Sequence, residues 1–398
     1  MTTTINNEHK KLNVPNLRFP EFQGVWKRTI FKNVITLQRG SSPRPIIEYV
    51  TTSDDGVNWI KIGDMPHFGR IVTSTEEKIT KEGAKKSRQV NKGDLILSNS
   101  MSYGLPYIMG IDGYIHDGWF VLKNFENTFD KDYLCNLLIS SAIQNQYKRL
   151  AAGGVVQNIS SDLVNSVSVS IPTMMEQKKI SSLLNLIDER IATQNKIIED
   201  LKKLKCAIIE KLYSKIQGKE YSYGQLFDVV NERNKQMEYY NILSASQEKG
   251  MVNRDDLNLD IQFERSNINT YKIVRKGDYV IHLRSFQGGF AFSDKLGVCS
   301  PAYTILRPNS LLEYSYLSYY FTSQRFIKSL IIVTYGIRDG RSINVEEWLN
   351  MKVVIPSKEH QLHTLNVLKR IDDKVENEEK YATCLSNQKQ YLLRQMFI

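Results

Sequence analysis

A single gapless offset of 184 residues runs through the 398-residue chain and limits its architecture more than any motif does. It carries Ile171-Pro172-Thr173 onto Ile355-Pro356-Ser357, Gln177 onto Gln361, Leu184 onto Leu368 and Ile187-Asp188 onto Ile371-Asp372. The same offset takes Leu201 to Leu385, Lys205 to Lys389, Gly104 to Gly288 and Lys92-Gly93-Asp94 to Lys276-Gly277-Asp278. Chance matching of apolar residues does not keep one register over such a length; duplication followed by divergence does. Nearer the N-terminus Phe31 aligns with Phe227, 196 rather than 184 residues on, which places 12 extra residues in the first copy.

Each copy holds two kinds of material. The first reads as an α+β domain. Leu95-Ile96-Leu97 and Tyr279-Val280-Ile281 are strands entered from a Lys-Gly-Asp turn, and Val167–Ile171 and Met351–Ile355 are strands ended by proline. Tyr133–Tyr147 and Tyr314–Leu330 read as short helices. The second kind is one long helix. Thr173-Met174-Met175-Glu176 is a capping box, Ser357 takes the cap in the second copy with His360 in place of the glutamate, and Gly218 is expected as the C′ stop. About 40 residues at 1.5 Å each makes a rod of roughly 60 Å. The expected segments are an N-terminal stretch 1–25, domains 26–172 and 218–356, and helices 173–217 and 357–398.

The helices carry a 3-4 heptad seam. Ile180, Leu184, Ile187, Ile191, Gln194, Ile198, Leu201 and Lys205 fill it in the first, and Leu368, Ile371, Val375, Glu378, Leu385, Lys389 and Leu392 in the second. Polar residues occupy the same two slots in both copies, and such residues set register and orientation at a cost in stability. Parallel pairing at the repeat offset would oppose Lys205 and Lys389. Antiparallel pairing opposes Lys205 to Glu378 and Lys389 to Gln194, which is far cheaper. The expected fold is therefore a two-fold repeat of globular α+β domains separated by two long helices in an antiparallel coiled coil. The alternative is that each seam packs only on its own domain.

Catalytic apparatus is missing from the sequence. There is no Pro-Pro dipeptide and so no D/N-P-P-Y/F motif of amino-methyltransferases; Gly218-Lys219 is followed by Glu220, so no phosphate-binding loop forms. The four cysteines are scattered without a C-x-x-C pair, which fits a reducing compartment and excludes a cysteine zinc module. A metal-dependent nuclease has one echo, Asp64 with Glu76-Glu77-Lys78, but such a triplet is common and a solvated charged turn explains it. No metal is expected. Met1–Lys11 lacks an apolar signal core and no apolar run nears the roughly 20 residues that span a bilayer, so a cytoplasmic protein without a membrane is expected.

Recognition has better support. The net charge of +10 permits a polyanionic partner, but it is spread over the chain and locates no site. Both copies follow the Lys-Gly-Asp strand with a polar, glycine-bearing loop: Ser98, Asn99, Ser100 and Tyr103 in the first, Arg284, Ser285 and Gln287 in the second. Both also have a glycine-rich loop before the last strand, with Gln157 and Asn158 in one and Arg338 and Arg341 in the other. Arginine suits guanine and amide side chains suit adenine, so these are base-reading types. Arg39, Arg44, Arg233 and Lys235 are expected phosphate contacts. For any one of them an ordinary exposed loop side chain is the competing explanation.

With these features together, the chain resembles the specificity subunit of type I restriction-modification systems. The carriers are Trp26–Gly40, Val14–Pro20, Trp59-Ile60-Lys61-Ile62-Gly63-Asp64-Met65, the Lys-Gly-Asp strands and Ile171–Ile180 with its second-copy echo at Ile355–Gln361. Lys61 joins the expected DNA contacts on that basis. The resemblance implies a non-catalytic subunit whose two target-recognition domains read a bipartite site in double-stranded DNA. It also implies two copies of a methyltransferase subunit docked on the helices and a separate restriction and translocase subunit. Those partners would bind S-adenosylmethionine, ATP and Mg, with no cofactor on this chain. A lone nuclease and a purely structural helical adaptor are the competing functions.

Overall fold

The computed structural model describes residues 13–66, 69–99, 104–151, 159–246, 249–256, 265–282, 289–335 and 342–398. The chain divides into two units, one of Met1–Lys196 with Glu379–Ile398 and the other of Ile197–Glu378. In the first unit a five-stranded sheet runs in the order Thr36–Arg39, Trp119–Lys123, Leu95–Ser98, Pro106–Met109, Ile71–Val72. Its central strands are nearly continuous apolar runs because both faces are covered: the helical core lies on one, and a second five-stranded sheet, with Trp59 and Ile60 on its Val57–Ile60 strand, lies on the other. The second unit repeats the first sheet with four strands, Phe227–Val230, Thr304–Pro308, Tyr279–Ile281 and Phe290–Phe292.

The repeated Lys-Gly-Asp motif is a structural joint. Gly93 and Gly277 have φ of +92° and +99°, a region that glycine enters without strain. The aspartate closes the turn, with Asp94 Oδ2 accepting from the Asn91 amide at 2.9 Å and Asp278 Oδ2 from the Arg275 amide at 2.8 Å. Its carboxylate also holds a cation on the neighbouring strand. Lys123 Nζ reaches Asp94 at 2.6 Å, and Arg307 makes two bonds of 2.9 and 3.0 Å to the buried Asp278.

The ladders correct the N-terminal alignment of the copies. Lys27 pairs with Ile171 and Lys219 with Ile355, so the first strands lie 192 residues apart and Phe31 corresponds to Tyr223, not Phe227. Two similar aromatics four residues apart in the second copy allowed the sequence match to slip. The short helices also differ from expectation. Each is broken by a serine: Lys131–Ile139 and Ser141–Ala151 meet at Ser140, whose ψ is 154°. Tyr316–Tyr320 and Gln324–Ser329 are separated at Ser323, whose hydroxyl caps the second.

The long helices span Met174–Ser214 and Lys358–Gln395. Thr173 caps the first, accepting from the Glu176 amide at 3.3 Å, but Glu176 does not complete the box; its carboxylate turns inward to Arg18 and Trp26. At the second, Ser357 accepts from the His360 amide at 3.4 Å, and the imidazole Nδ1 lies 3.0 Å from the same hydroxyl. Gly218 is not the C′ residue, since the helix ends at Ser214. A Cβ there would meet the Ile355 carbonyl oxygen at 2.2 Å, so close backbone passage is what requires glycine. The glutamine four places after each cap makes bonds that the sequence did not reveal. Gln177 donates to the carbonyls of Thr128 and Pro172 and accepts from the Asp130 amide; Gln361 does the same with Leu311, Pro356 and Glu313. Each glutamine ties its domain to its long helix.

The helices are antiparallel within each unit. In the first, Ile180, Leu184 and Ile187 share a core with Leu392, Met396 and Phe397, and the Phe397 ring lies 5.2 Å from Tyr133. In the second, Ile209 and Tyr213 share a core with Leu368. Seam residues therefore pack on the partner helix and on the domain alike. Gln194, Ile198, Val375 and Leu385 are buried, and Ile191, Leu201 and Ile371 half-buried.

The seam lysines have other partners than expected. Lys205 pairs with Asp372, six residues before Glu378, and Lys389 pairs with Asp188 instead of lying against Gln194. The two pairs are repeat-equivalent, and each aspartate takes a further bond from its domain: Arg70 Nη2 to Asp188 at 2.9 Å, Tyr319 Oη to Asp372 at 2.7 Å. A long lysine stem can leave the seam and place its ammonium on a flanking carboxylate. Burial and the nearby Arg70 push the Lys389 pKa down although Asp188 opposes them. Lys205→Glu would face Asp372 with a second acid, with an expected loss of about 1–2 kcal/mol. The swap Lys205→Glu with Asp372→Lys should restore most of it. Urea midpoints of the two variants check this.

Candidate nucleic-acid interface

Strand register brings two segments that lead toward the first copy's candidate DNA contacts to one end of the sheet. Arg39 pairs with Phe120 and Ser98 with Trp119, so the Thr36–Arg39 and Leu95–Ser98 strands leave the sheet together. Gly40 follows at once, its amide on the Trp119 carbonyl at 2.8 Å; a Cβ there would lie 2.0 Å from the His116 oxygen. Asn99 then gathers the neighbouring segments. Its amide donates to Gly118 O, its side-chain Nδ2 to Asp117 O, and its carbonyl accepts from the Ile159 amide at 2.8 Å. Asn99 and Ile159, the described residues next to 100–103 and 152–158, are thus bonded to each other.

Asp117 completes the edge. Its carboxylate accepts from Ser42 Oγ at 2.7 Å and from Arg44 at 3.3 Å, and its carbonyl accepts from Arg39 Nε at 3.3 Å. The Ser42 hydroxyl holds the Asp117 carboxyl below the usual carboxylate range, with its own backbone, His116 and Arg44 adding to the effect. Arg39 and Arg44 are exposed, Arg44 strongly so at 82% of its side chain. Arg88 Nε joins them by donating to the Arg39 carbonyl. The neighbouring His116 ring sits by Trp59 and Trp119, and burial lowers its pKa.

Three expected contacts need correction. Ser98 and Asn99 are buried, with Ser98 Oγ accepting from the Leu105 amide, so they shape the edge and are not offered to solvent. Lys61 is half-buried and committed to acids, 2.8 Å from Glu77 and 3.8 Å from Glu76. The carboxylate of Asp64 is also occupied, by the Lys61 amide at 2.6 Å and the Glu76 amide at 2.9 Å. Asp64 and Glu76 therefore form a capped turn, and among the described residues no cluster of three His, Cys, Asp or Glu could hold a metal.

The second unit builds an edge on the same plan. Val230 pairs with Ile305 and Ile281 with Thr304, so the segment bearing Arg233 and Lys235 leaves the same end of the sheet as His282. Both cations are exposed, and the buried Asn234 between them fixes the turn through both bonds to Tyr239. The His282 amide donates to Gly289 O at 2.8 Å, and the strand pair at Thr334-Tyr335 and Ser342-Ile343 carries residues 336–341. Ser100, Tyr103, Gln157, Asn158, Arg284, Ser285, Gln287, Arg338 and Arg341 lie outside the described residues. The role of Asp117 was not apparent from sequence, because Ser42 and Arg44 lie far from it along the chain.

Residues 29–203 match the model of the type I restriction modification DNA specificity domain. A Methanocaldococcus jannaschii protein assigned as the type I restriction enzyme MjaX specificity subunit is 23% identical over 362 residues, spanning 84% of this chain and 82% of its own. By these matches the chain is similar to the type I restriction-modification specificity subunits. The MjaVIII specificity subunit of the same organism is 26% identical over 210 residues, 50% of this chain and 48% of that protein. A chain from a solved structure described as showing complex assembly and conformational transition of the type I R-M system shares the fold, with a TM-score of 0.62, 15% identity and coverage of 92% and 96%. The M. genitalium S subunit gives 0.52 at 14% identity, covering 97% of this chain and 99% of that one. Among the described residues no helix is long and apolar enough to cross a membrane.

Proposed function

We propose that the two units read the two halves of a bipartite, asymmetric site in duplex DNA. What supports this reading is that both units build the sheet on the same joints, Asp94–Lys123 and Asp278–Arg307, at the end opposite the loops, yet the loop-bearing edge carries different residues in the two copies. One scaffold with two diverged faces suits two unlike sequences. The exposed Arg39, Arg44, Arg233 and Lys235 serve as phosphate contacts that set position, and base discrimination falls to the loops they flank.

The helix pairs dock the rest of the assembly. Leu186, Tyr381 and Tyr391 in one unit and Ile197 and Leu204 in the other are exposed apolar residues on the long helices, and each set suits a methyltransferase subunit and, through it, a restriction and translocase subunit. S-adenosylmethionine, ATP and Mg then belong to those partners, in the cytoplasm. Methylome sequencing of cells with and without the gene tests the proposal, with loss of one two-part motif as the expected result. Binding of the chain with its methyltransferase to that motif should weaken steeply with salt. Loss of no motif, or of an undivided one, overturns it.

A further inference from the structure

The joints that build the two units recur in both copies: the Lys-Gly-Asp turns, the helix-binding glutamines, the lysine–aspartate pairs. Asp117 is a polar hub that does not recur. The repeat offset places Pro301 at its position, a residue with neither a carboxylate nor an amide hydrogen. Scaffold bonds survive divergence in both copies, whereas an arrangement present in only one belongs to what that copy alone recognises.

The geometry points to Asp117 as the positioning residue of the first unit's DNA-reading edge. This inference rests on the proposed reading of DNA and deepens it. One carboxylate oxygen holds Ser42 at 2.7 Å and the other holds Arg44 at 3.3 Å, which fixes the segment between Gly40 and Pro45 from two points. The carbonyl of the same residue holds Arg39 Nε at 3.3 Å and the side chain of Asn99 at 2.9 Å, and Asn99 in turn accepts from the Ile159 amide. Two cationic side chains are thereby referred to a single residue, one through its carboxylate and one through its carbonyl. An arginine held by a carboxylate is already oriented when DNA arrives, so less side-chain freedom is lost on binding. The carboxylate is half-exposed, at 42% of its side chain, and therefore contributes little to the core. Its negative charge beside DNA would be unfavourable on its own; holding Arg44 neutralises it.

The test uses the full chain with its methyltransferase partner and duplexes carrying the motif found by methylome sequencing. Three probes are needed: the intact motif, the motif with one half scrambled, and the motif with the other half scrambled. Asp117→Ala should lose discrimination at one half-site by about tenfold while keeping wild-type discrimination at the other, an internal measure that the protein is folded. Arg44→Ala should have a smaller effect in the Asp117→Ala background than alone, because an unheld arginine has less to lose. Equal discrimination by Asp117→Ala and wild type at both halves overturns the inference, as do additive effects of the two substitutions. Equal loss at both halves overturns it too, since that marks a general structural role. Failure of the wild-type complex to discriminate either half is a different result and overturns the DNA-reading proposal instead.

Discussion

Arg18→Ala is expected to lower the melting temperature by about 10 °C, through a loss of roughly 3–4 kcal/mol in a unit of this size. Glu176 opens the first long helix and its side chain is wholly buried. Arg18 meets it with two parallel bonds, Nε to Oε1 at 2.7 Å and Nη2 to Oε2 at 2.8 Å, and Trp26 Nε1 adds a third at 3.3 Å. The same guanidinium donates to the carbonyls of Gln23 and Gly24, so it ties the segment before the first strand to the helix start. Removing it strands a carboxylate with only an indole for company. The large cost comes from that uncompensated charge and not from the pair itself, which two apolar residues of similar volume would replace at little loss. Glu176→Gln in the Arg18→Ala background should therefore recover a good part of the stability, since a buried amide costs less than a buried anion. Arg18→Lys keeps the charge but loses the fork, and should fall between wild type and alanine. Scanning calorimetry of the three variants separates these effects. A change under 2 °C in Arg18→Ala would mean that the pair is not closed in solution.

The sequence displayed the repeat, the long helices and their seam plainly, because each is a local or periodic signal. A 3-4 spacing of apolar residues needs no knowledge of what lies opposite, and the burial of Leu184, Val375 and Leu385 follows from it. The partner of a seam lysine is another matter. Lys205 and Lys389 stand in seam slots, but their ammonium groups leave the seam for Asp372 and Asp188, which lie just beside it. Pairing slots with slots could not find that, because a four-carbon stem reaches past its own position. The Lys-Gly-Asp repeat was visible as a motif, whereas its bond to Lys123 or Arg307 depends on which strand lies alongside. Ser98 and Asn99 show the same limit at the site. Polar residues after a buried strand look like surface groups, yet the chain folds back over them through Leu105, Gly118 and Ile159. Long-range contacts decide which polar residues after a buried strand stay exposed, and composition does not carry that information.

The second large effect is expected at Trp348, on the short helix Val345–Asn350, where alanine should cost about 3–5 kcal/mol. The side chain is fully buried, stacked on Tyr223 at 4.2 Å and 11° and bordered by Phe290 at 5.0 Å and Phe227 at 6.0 Å. The repeat-equivalent residue in the first unit is Val164, also buried on a short helix. The two copies thus fill one position with very different volumes, and in the second the surrounding rings have grown to match. Cores tolerate a change of shape only when neighbours change with it, so Trp348→Val cannot restore the packing of the first copy while Tyr223 and Phe290 remain. It should cost nearly as much as alanine. Trp348→Phe should be much milder, about 1–1.5 kcal/mol, because the indole N–H has no hydrogen-bond partner and its loss leaves no acceptor unpaired. Chemical denaturation followed by tyrosine and tryptophan fluorescence orders the three. Should Trp348→Phe prove as damaging as alanine, the indole N–H would have to be bonded in solution, and the packing argument for this core would fail.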